Sequence, residues 1–265
     1  LSELLNDTLR VGGLSRRGLI LAGSALGGLL LSGCDRQTQA PEALKFIDRA
    51  EGLTQRGQRL LLSGQPLAPE FKPSDISPTF KPNGSFTATD PAYQAQLATG
   101  FADWRLVVDG LVNRPLSLSL AQLKALPART QITRHDCVEG WSAIAQWTGP
   151  QLGGLLHAAG LQPHARYIVF HCADNLGGPG EGGKYYESID LFDAFHPQTI
   201  LAHTMNGQPL AVPHGAPIRL RVERQLGYKQ AKYVMRIEAT DRLGGIQGGH
   251  GGFWEDRGYE WYAGI

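Results

Sequence analysis

The apolar and polar positions divide the chain into stretches of different texture. Residues 18–33 (GLILAGSALGGLLLSG) run without a charge. As a helix rising about 1.5 Å per residue they would span roughly 24 Å, short of the roughly 30 Å hydrocarbon core of a bilayer. Leu44, Ile47, Ala50 and Leu53 fall at helical spacing and predict a helix over 44–62, weakened by Gly52 and Gly57. Residues 63–103 are rich in Pro, Ser, Thr and Gly and read as loop. A loop of that length is unusual in a compact domain unless it is functional.

From Trp104 onward the pattern changes to short apolar runs. RLVVDGLV (105–112) predicts a strand, and Ser119 caps a short helix through Leu126. Residues 128–137 read as a strand entering a loop, and Gln151 to Ala159 as a short helix closed by Gly160. Further strands are predicted at 166–172, 199–205, 217–223 and 232–240, with a tight turn at Asn206-Gly207. Strands outnumber helices and do not alternate with long helical stretches, which argues against a doubly wound parallel sheet. The fold class is α+β, mixed and mainly β, with short helices.

Composition narrows the function classes. The 265 residues are 42% hydrophobic and 18% charged, which excludes a disordered chain, a collagen-like repeat and a disulfide-dense mini-protein. A formal net charge of +1 argues against a general nucleic-acid binder. Glycine is in surplus, concentrated at 12–33, 177–183 and 244–264.

The first 34 residues read as an address. Arg10, Arg16 and Arg17 precede a short apolar run with a small-residue end, the layout of a secretory signal. Ser15-Arg16-Arg17-Gly18-Leu19-Ile20 resembles a twin-arginine signal, which exports proteins already folded. Leu31-Ser32-Gly33-Cys34 resembles a lipobox whose cysteine is lipidated, and Asp35 resembles an inner-membrane retention signal. The plainer readings are an ordinary signal and a soluble periplasmic product. Residues 35–62 follow as a tether and N-terminal helix, and 63–265 as the functional domain.

The densest candidate chemistry is Arg134-His135-Asp136-Cys137-Val138-Glu139-Gly140-Trp141-Ser142, followed by Trp147-Thr148-Gly149. His135 and Cys137 could form a nucleophile pair, although neighbours on one strand rarely aim a ring nitrogen at a sulfur. A zinc site would want three or four ligands at recognisable spacings, and neither C-x-x-C nor H-E-x-x-H occurs. A third reading is one thiolate bound to a metal that brings most of its own ligands.

The CVEGWS run and the Trp147-Thr148-Gly149 that follows it resemble the molybdenum-binding segment of sulfite-oxidase-fold, molybdopterin-dependent oxidoreductases. The nearest branch is the periplasmic methionine-sulfoxide reductase catalytic subunit. The resemblance extends over about residues 80–240, through Asp193–Pro197, His214–Leu220 and Leu226–Lys232. It implies a sulfite-oxidase-type fold, one molybdenum-molybdopterin per chain, and Cys137 as the sole protein ligand to the metal. It also implies cofactor contacts at Asn83, Phe86, Cys172, His214, Arg219, Lys229, Gln230, Ala231 and Lys232. Cys172 and His214 depart from that branch, which carries threonine and asparagine there. The C-A-G-N-R-R type of run found in sulfite oxidases proper is absent. Oxygen-atom transfer by reduction of an S- or N-oxide is therefore expected over sulfite oxidation. No C-x-x-C-H haem attachment occurs, so electrons are expected from a separate haem- or quinone-linked membrane partner.

Charge patterning agrees with an anionic ligand. Arg219, Arg221, Arg224, Lys229, Lys232 and Arg236 stand against one acid, Glu223, within residues 219–236. On a strand Ile218, Leu220 and Val222 would face the core, with Arg219 and Arg221 opposite. Such a cluster suits a pterin's terminal phosphate; the plain alternative is a solvated face. The run 177–183 reads as a mobile loop near a pocket rim, and His250 as a flexible exposed residue. His171, His196 and His203 read as structural. The aromatic tail FWEDRGYEWYAGI reads as a packed arm, or as a cover over the site or a docking surface. A Cys137–Cys172 disulfide is the redox alternative. The rival functions are a non-catalytic exported pterin- or anion-binding accessory protein and a thiol-dependent hydrolase.

Overall fold

Leu106 and Val108 are buried alternately along Arg105–Gly110, which makes this segment the first strand, β1. The computed structural model describes Gly57, residues 66–177 and residues 183–265; all but Gly57 lie in the unit Gln58–Ile265. The expected signal, tether and Cys34 anchor, and the core of the 177–183 run, lie outside the described residues. So does the expected helix over 44–62 apart from Gly57, which is helical.

Eleven strands and four short α-helices make up the described domain. The largest sheet has five strands in the order β2 (Leu116–Ser119), β1, β11 (Val234–Thr240), β5 (Tyr167–Asn175) and β6 (Lys184–Asp190). β1 runs parallel to β11 and every other pairing is antiparallel. A four-stranded sheet orders β3 (Ala128–Asp136), β4 (Ser142–Pro150), β8 (Thr204–Met205) and β9 (Gln208–Pro209). A short ladder joins β10 (Arg219–Arg221) to β7 (Ile200–Ala202). The fold is therefore mixed and mainly β.

The helices are α1 (Pro91–Ala98), α2 (Leu120–Lys124), α3 (Leu152–Ala159) and α4 (Leu191–Ala194). Ser119 caps α2, accepting from Gln122 N at 3.2 Å, and Gly160 closes α3 in the left-handed region at φ 69°. Asn206 and Gly207, at φ 50° and 75°, turn β8 into β9.

Several elements differ from expectation. α1 interrupts the supposed loop of 63–103: Asp90 accepts from Tyr93 N at 3.0 Å and Pro91 opens the first turn. Only Tyr93 on that helix is buried, so no apolar stripe announces it. β4 escapes notice because its buried face is mostly alanine, Ala143 and Ala145 ahead of Trp147. β6 buries Glu187 and Ser188 beside Tyr185 and Tyr186, so it lacks the strand's usual alternation. The run 199–205 breaks at His203, sending β7 and β8 to different sheets.

The main core gathers the inward faces of the five-stranded sheet, α1 to α4, and Ile218, Leu220 and Val222. A second core forms around Trp147, Phe80, Ile200 and Met205. β10 has its apolar face in the main core and its arginines against Trp147: Arg219 and Arg221 lie 5.0 and 4.3 Å from the ring. Both guanidiniums are fully buried, so this part of the basic stretch is an interior layer rather than a solvated face.

Candidate active site

The β3–β4 hairpin sets the position of Cys137. The last ladder pair is Asp136 with Ser142, so Cys137 is the first residue past the ladder. Its N–H donates to the Trp141 carbonyl at 2.9 Å, and its own carbonyl accepts from Gly140 N at 3.0 Å. Gly140, at φ 84°, supplies the left-handed residue this turn requires. The thiol is half-buried in the wall of a cleft also lined by Asn83, Asp174, Gln230, Lys232, Trp254 and Tyr259. Burial pushes its pKa up, opposed by the Glu139 backbone N–H, which donates to the sulfur.

The nucleophile pair with His135 is not formed. His135 is fully buried, and its Nδ1 faces Arg221 Nη1 at 3.1 Å and Gln230 Oε1 at 3.4 Å. Burial and the two arginines hold it neutral, with a pKa well below the ordinary value. A Cβ on Gly227 would stand 2.5 Å from its Nε2, so the backbone approaches the ring as only glycine allows. Cys137 and Cys172 are both free thiols, which removes the disulfide alternative. Among the described residues no group of three or more His, Cys, Asp or Glu is placed to hold a metal. A metal at Cys137 must bring most of its ligands with it.

The basic residues separate into two kinds. Arg221 is paired with Glu223 at 2.6 Å, Arg224 with Asp193 at 2.6 Å, and Lys229 with Glu187 and Glu255 at 2.5 Å each. Arg219 and Lys232 have no ion pair among the described residues. Arg219 donates to the carbonyls of His214 and Gln230, both at 3.3 Å, and its Nε is buried without a partner. Lys232 Nζ donates to the carbonyls of Ser85 and Pro213. Burial, with repulsion from Arg221, lowers Arg219 to about 9; burial, with Arg219, lowers Lys232 to about 7. Two buried cations that form no direct ion pair, with Asp174 acting on Lys232 and Glu223 on Arg219 only from beyond contact, fit an anionic group such as a pterin phosphate.

Other nominated residues are placed as follows. Asn83 lines the cleft and its Oδ1 is buried without a partner, whereas Phe86 is exposed and does not line it. Cys172 is buried in the main core, its sulfur 3.9 Å from the Phe170 carbonyl, and is not in the cleft wall. His214 is partly buried, packs on Phe80 at 5.6 Å, and is pulled down to about 4 by burial and the nearby cations. Gln230 lines the cleft, while Ala231 lies in the main core and accepts from Leu220 N at 2.8 Å. The Lys229 ammonium is committed to Glu187 and Glu255, so its side chain is not free for a ligand. Burial pulls that ammonium down, but the two carboxylates outweigh it and raise its pKa.

Sequence reasoning missed Asp174 and Tyr228 as lining residues, whereas the tail, read as an arm or a cover over the site, does contribute Trp254 and Tyr259 to the cleft. The tail's aromatic clustering was the one available signal for the last two. Trp254 and Tyr259 stack at 5.3 Å, and Tyr259 meets Tyr228 edge-on at 5.2 Å. Glu255 fastens the tail through Lys229, and Asp256 does so through Tyr186 Oη at 2.6 Å. His250 is exposed, with its N–H donating to Asp256 at 3.0 Å. His171 pairs with Glu238 at 2.8 Å, His196 faces the Pro66 carbonyl at 3.2 Å and His203 meets Thr204 at 2.8 Å, all structural contacts.

A sheet-rich domain with one thiol in its cleft, backed by unpaired buried cations, defines a class: a binder of an anionic, metal-bearing cofactor. The family profile of the oxidoreductase molybdopterin binding domain matches residues 93–244, and the chain belongs to that family. It is a molybdenum-molybdopterin oxidoreductase domain with a mixed, mainly β fold. A protein of Azospira oryzae, provisionally named protein-methionine-sulfoxide reductase subunit YedZ1, is 36% identical over 94% of this chain and 88% of its own length. The protein-methionine-sulfoxide reductase catalytic subunit MsrP of Xanthomonas campestris is 35% identical over 58% of this chain and 50% of its own. The chain thus matches about half the length of that relative. Among solved structures, the sulfane dehydrogenase SoxCD of Paracoccus pantotrophus aligns with TM-score 0.46 and 24% identity. That alignment covers 53% of this chain and 39% of the other.

Proposed function

We propose that this domain reduces an S-oxide, with Cys137 as the protein ligand to molybdenum. The observation that carries the reading is the cleft itself, where Cys137 shares a wall with Lys232, while Arg219 is buried nearby without an ion pair and with its Nε unpartnered. When bound, the cofactor supplies a two-electron metal centre able to exchange an oxygen atom with substrate. The overall conversion takes R2SO, two protons and two electrons to R2S and water. The names of the relatives, both sulfoxide reductase subunits, support this direction over sulfite oxidation.

The chain's own residues fix the reacting centre and shape the approach to it. The 137–141 turn holds the Cys137 sulfur at a defined place, and the Glu139 N–H donates to it. Arg219 and Lys232 hold the cofactor's anionic end, with Asn83 and Gln230 as further polar contacts. Trp254, Tyr259 and Val138 form an apolar outer wall that excludes water and accepts a thioether-like body. We place the protein in the periplasm, delivered by the twin-arginine route and anchored through Cys34, where a haem- or quinone-linked membrane protein supplies electrons.

Metal analysis of natively exported protein tests the reading. Molybdenum near one per chain, lost in Cys137→Ser, is expected, together with viologen-driven reduction of members of a sulfoxide panel. Protein from molybdate-replete cells that carries neither molybdenum nor pterin would rule out the enzyme. Activity surviving molybdenum starvation would point to a thiol hydrolase.

A further inference from the structure

β5 carries two side chains with a claim on the cofactor, and the structure treats them differently. Cys172 is enclosed by the main core and does not reach the cleft wall. Asp174, two residues further along, does line it, where the β5–β6 ladder shifts register between His171 and Asn175.

The two oxygens of Asp174 have different surroundings. Oδ2 accepts from Ser85 Oγ at 2.7 Å, while Oδ1 is buried with no partner. The Ser85 carbonyl in turn accepts from Lys232 Nζ and, at 3.2 Å, from Tyr233 Oη. Asp174 therefore fixes the 83–85 loop with one oxygen and leaves the other as an acceptor in the wall of the cleft. Asn83 Oδ1, in the same wall, is a second buried acceptor without a donor. Buried acceptors need a hydrogen-bond donor. A pterin is rich in the matching groups, with ring N–H and amino donors at one end and a phosphate at the other. The unpaired Arg219 and Lys232 suit the phosphate; the unpaired oxygens suit the nitrogen-bearing ring.

We propose that Asp174, rather than Cys172, is the β5 contact to the molybdopterin, accepting a pterin N–H through Oδ1 while Oδ2 holds the 83–85 loop. The inference rests on the cofactor assignment for this family. The experiment is pterin and molybdenum content per chain in natively exported protein after extended dialysis, with the pterin read as its fluorescent oxidation product. Asp174→Ala and the similarly sized Asp174→Leu, which both remove the acceptor, are each expected to retain at least tenfold less pterin than wild type, and Asp174→Asn, which keeps an oxygen acceptor, to retain more than either. Cys172→Ala, which leaves Oδ1 in place, should stay within about twofold of wild type. Circular dichroism shows whether each variant is folded, and Asp174→Leu stands as the test if the alanine variant is not. Wild-type retention in a folded Asp174→Ala or Asp174→Leu, or a tenfold loss in Cys172→Ala, would overturn the proposal. Wild-type protein devoid of pterin would overturn the cofactor assignment itself, a separate and recognisable outcome.

Discussion

Arg221 and Arg219 lie two residues apart on one strand, equally buried and both against Trp147, yet they serve different purposes. Arg221 is locked to Glu223 and, with Arg224 and Lys229, belongs to a set of cations neutralised inside the protein. Arg219, together with Lys232, donates to backbone carbonyls and forms no ion pair among the described residues. Burying a charge is expensive, and the first set offsets that cost with carboxylates in direct contact while the second has them only at longer range. The comparison separates cations that build the domain from cations held ready for an anion, a distinction invisible in net charge.

The largest effect that can break this comparison is loss of a paired cation. Arg221→Met leaves the Glu223 carboxylate buried without its main partner, and the expected loss is about 3–5 kcal/mol, read as a lower urea midpoint of the apoprotein. Arg219→Met should behave in the opposite way. The apoprotein keeps or gains stability because a buried charge without an ion pair is removed, while pterin retained after dialysis falls tenfold or more. Equal destabilisation by both variants would erase the distinction.

A milder effect is expected at the rim. Tyr259 is 41% exposed, and Tyr259→Ala should change unfolding free energy by only about 0.5 kcal/mol. KM for a sulfoxide substrate should rise severalfold with kcat nearly unchanged. Deleting residues 246–265 goes further, and unchanged turnover with both artificial and native electron donors would show that the tail is packing alone.

The smallest effect concerns pH. The His214 pKa is depressed from 6.5 to about 4, by burial first and then by Arg219 and Lys232. Its neutral form therefore stabilises the fold above pH 6.5, and that contribution is lost as pH falls toward 4. Melting of the apoprotein across this window should fall less steeply in His214→Asn than in wild type. Identical slopes would show that His214 does not feel the unpaired cations.

Much of the frame was legible where apolar side chains carry it. β1, β3, β5, β11 and the capped helices α2 and α3 follow from alternation and cap chemistry, and the Ile218-Leu220-Val222 face was correctly assigned to the core. β4 and β6 were not legible, because alanine and buried glutamate carry too little hydrophobic signal. Cys137 stood out by its motif, and Lys232 and Arg219 by charge. Nothing along the chain distinguished Lys229 from Lys232; only the fold brings Glu187 and Glu255 to the first. Asp174 was silent for the same reason, since its meaning depends on Ser85 arriving from 89 residues earlier.

The parallel pairing of β1 with β11 has a consequence for the order of assembly. β11 separates β1 from β5 in the large sheet, so the centre of that sheet is filled by its last strand to be synthesised. Arg219 and Lys232 lie just upstream of it, and β1 must wait more than a hundred residues for its neighbour. Contacts so distant along the chain form slowly. A ribosome-bound or partly threaded chain therefore lacks the cofactor cradle, and loading belongs to the finished polypeptide.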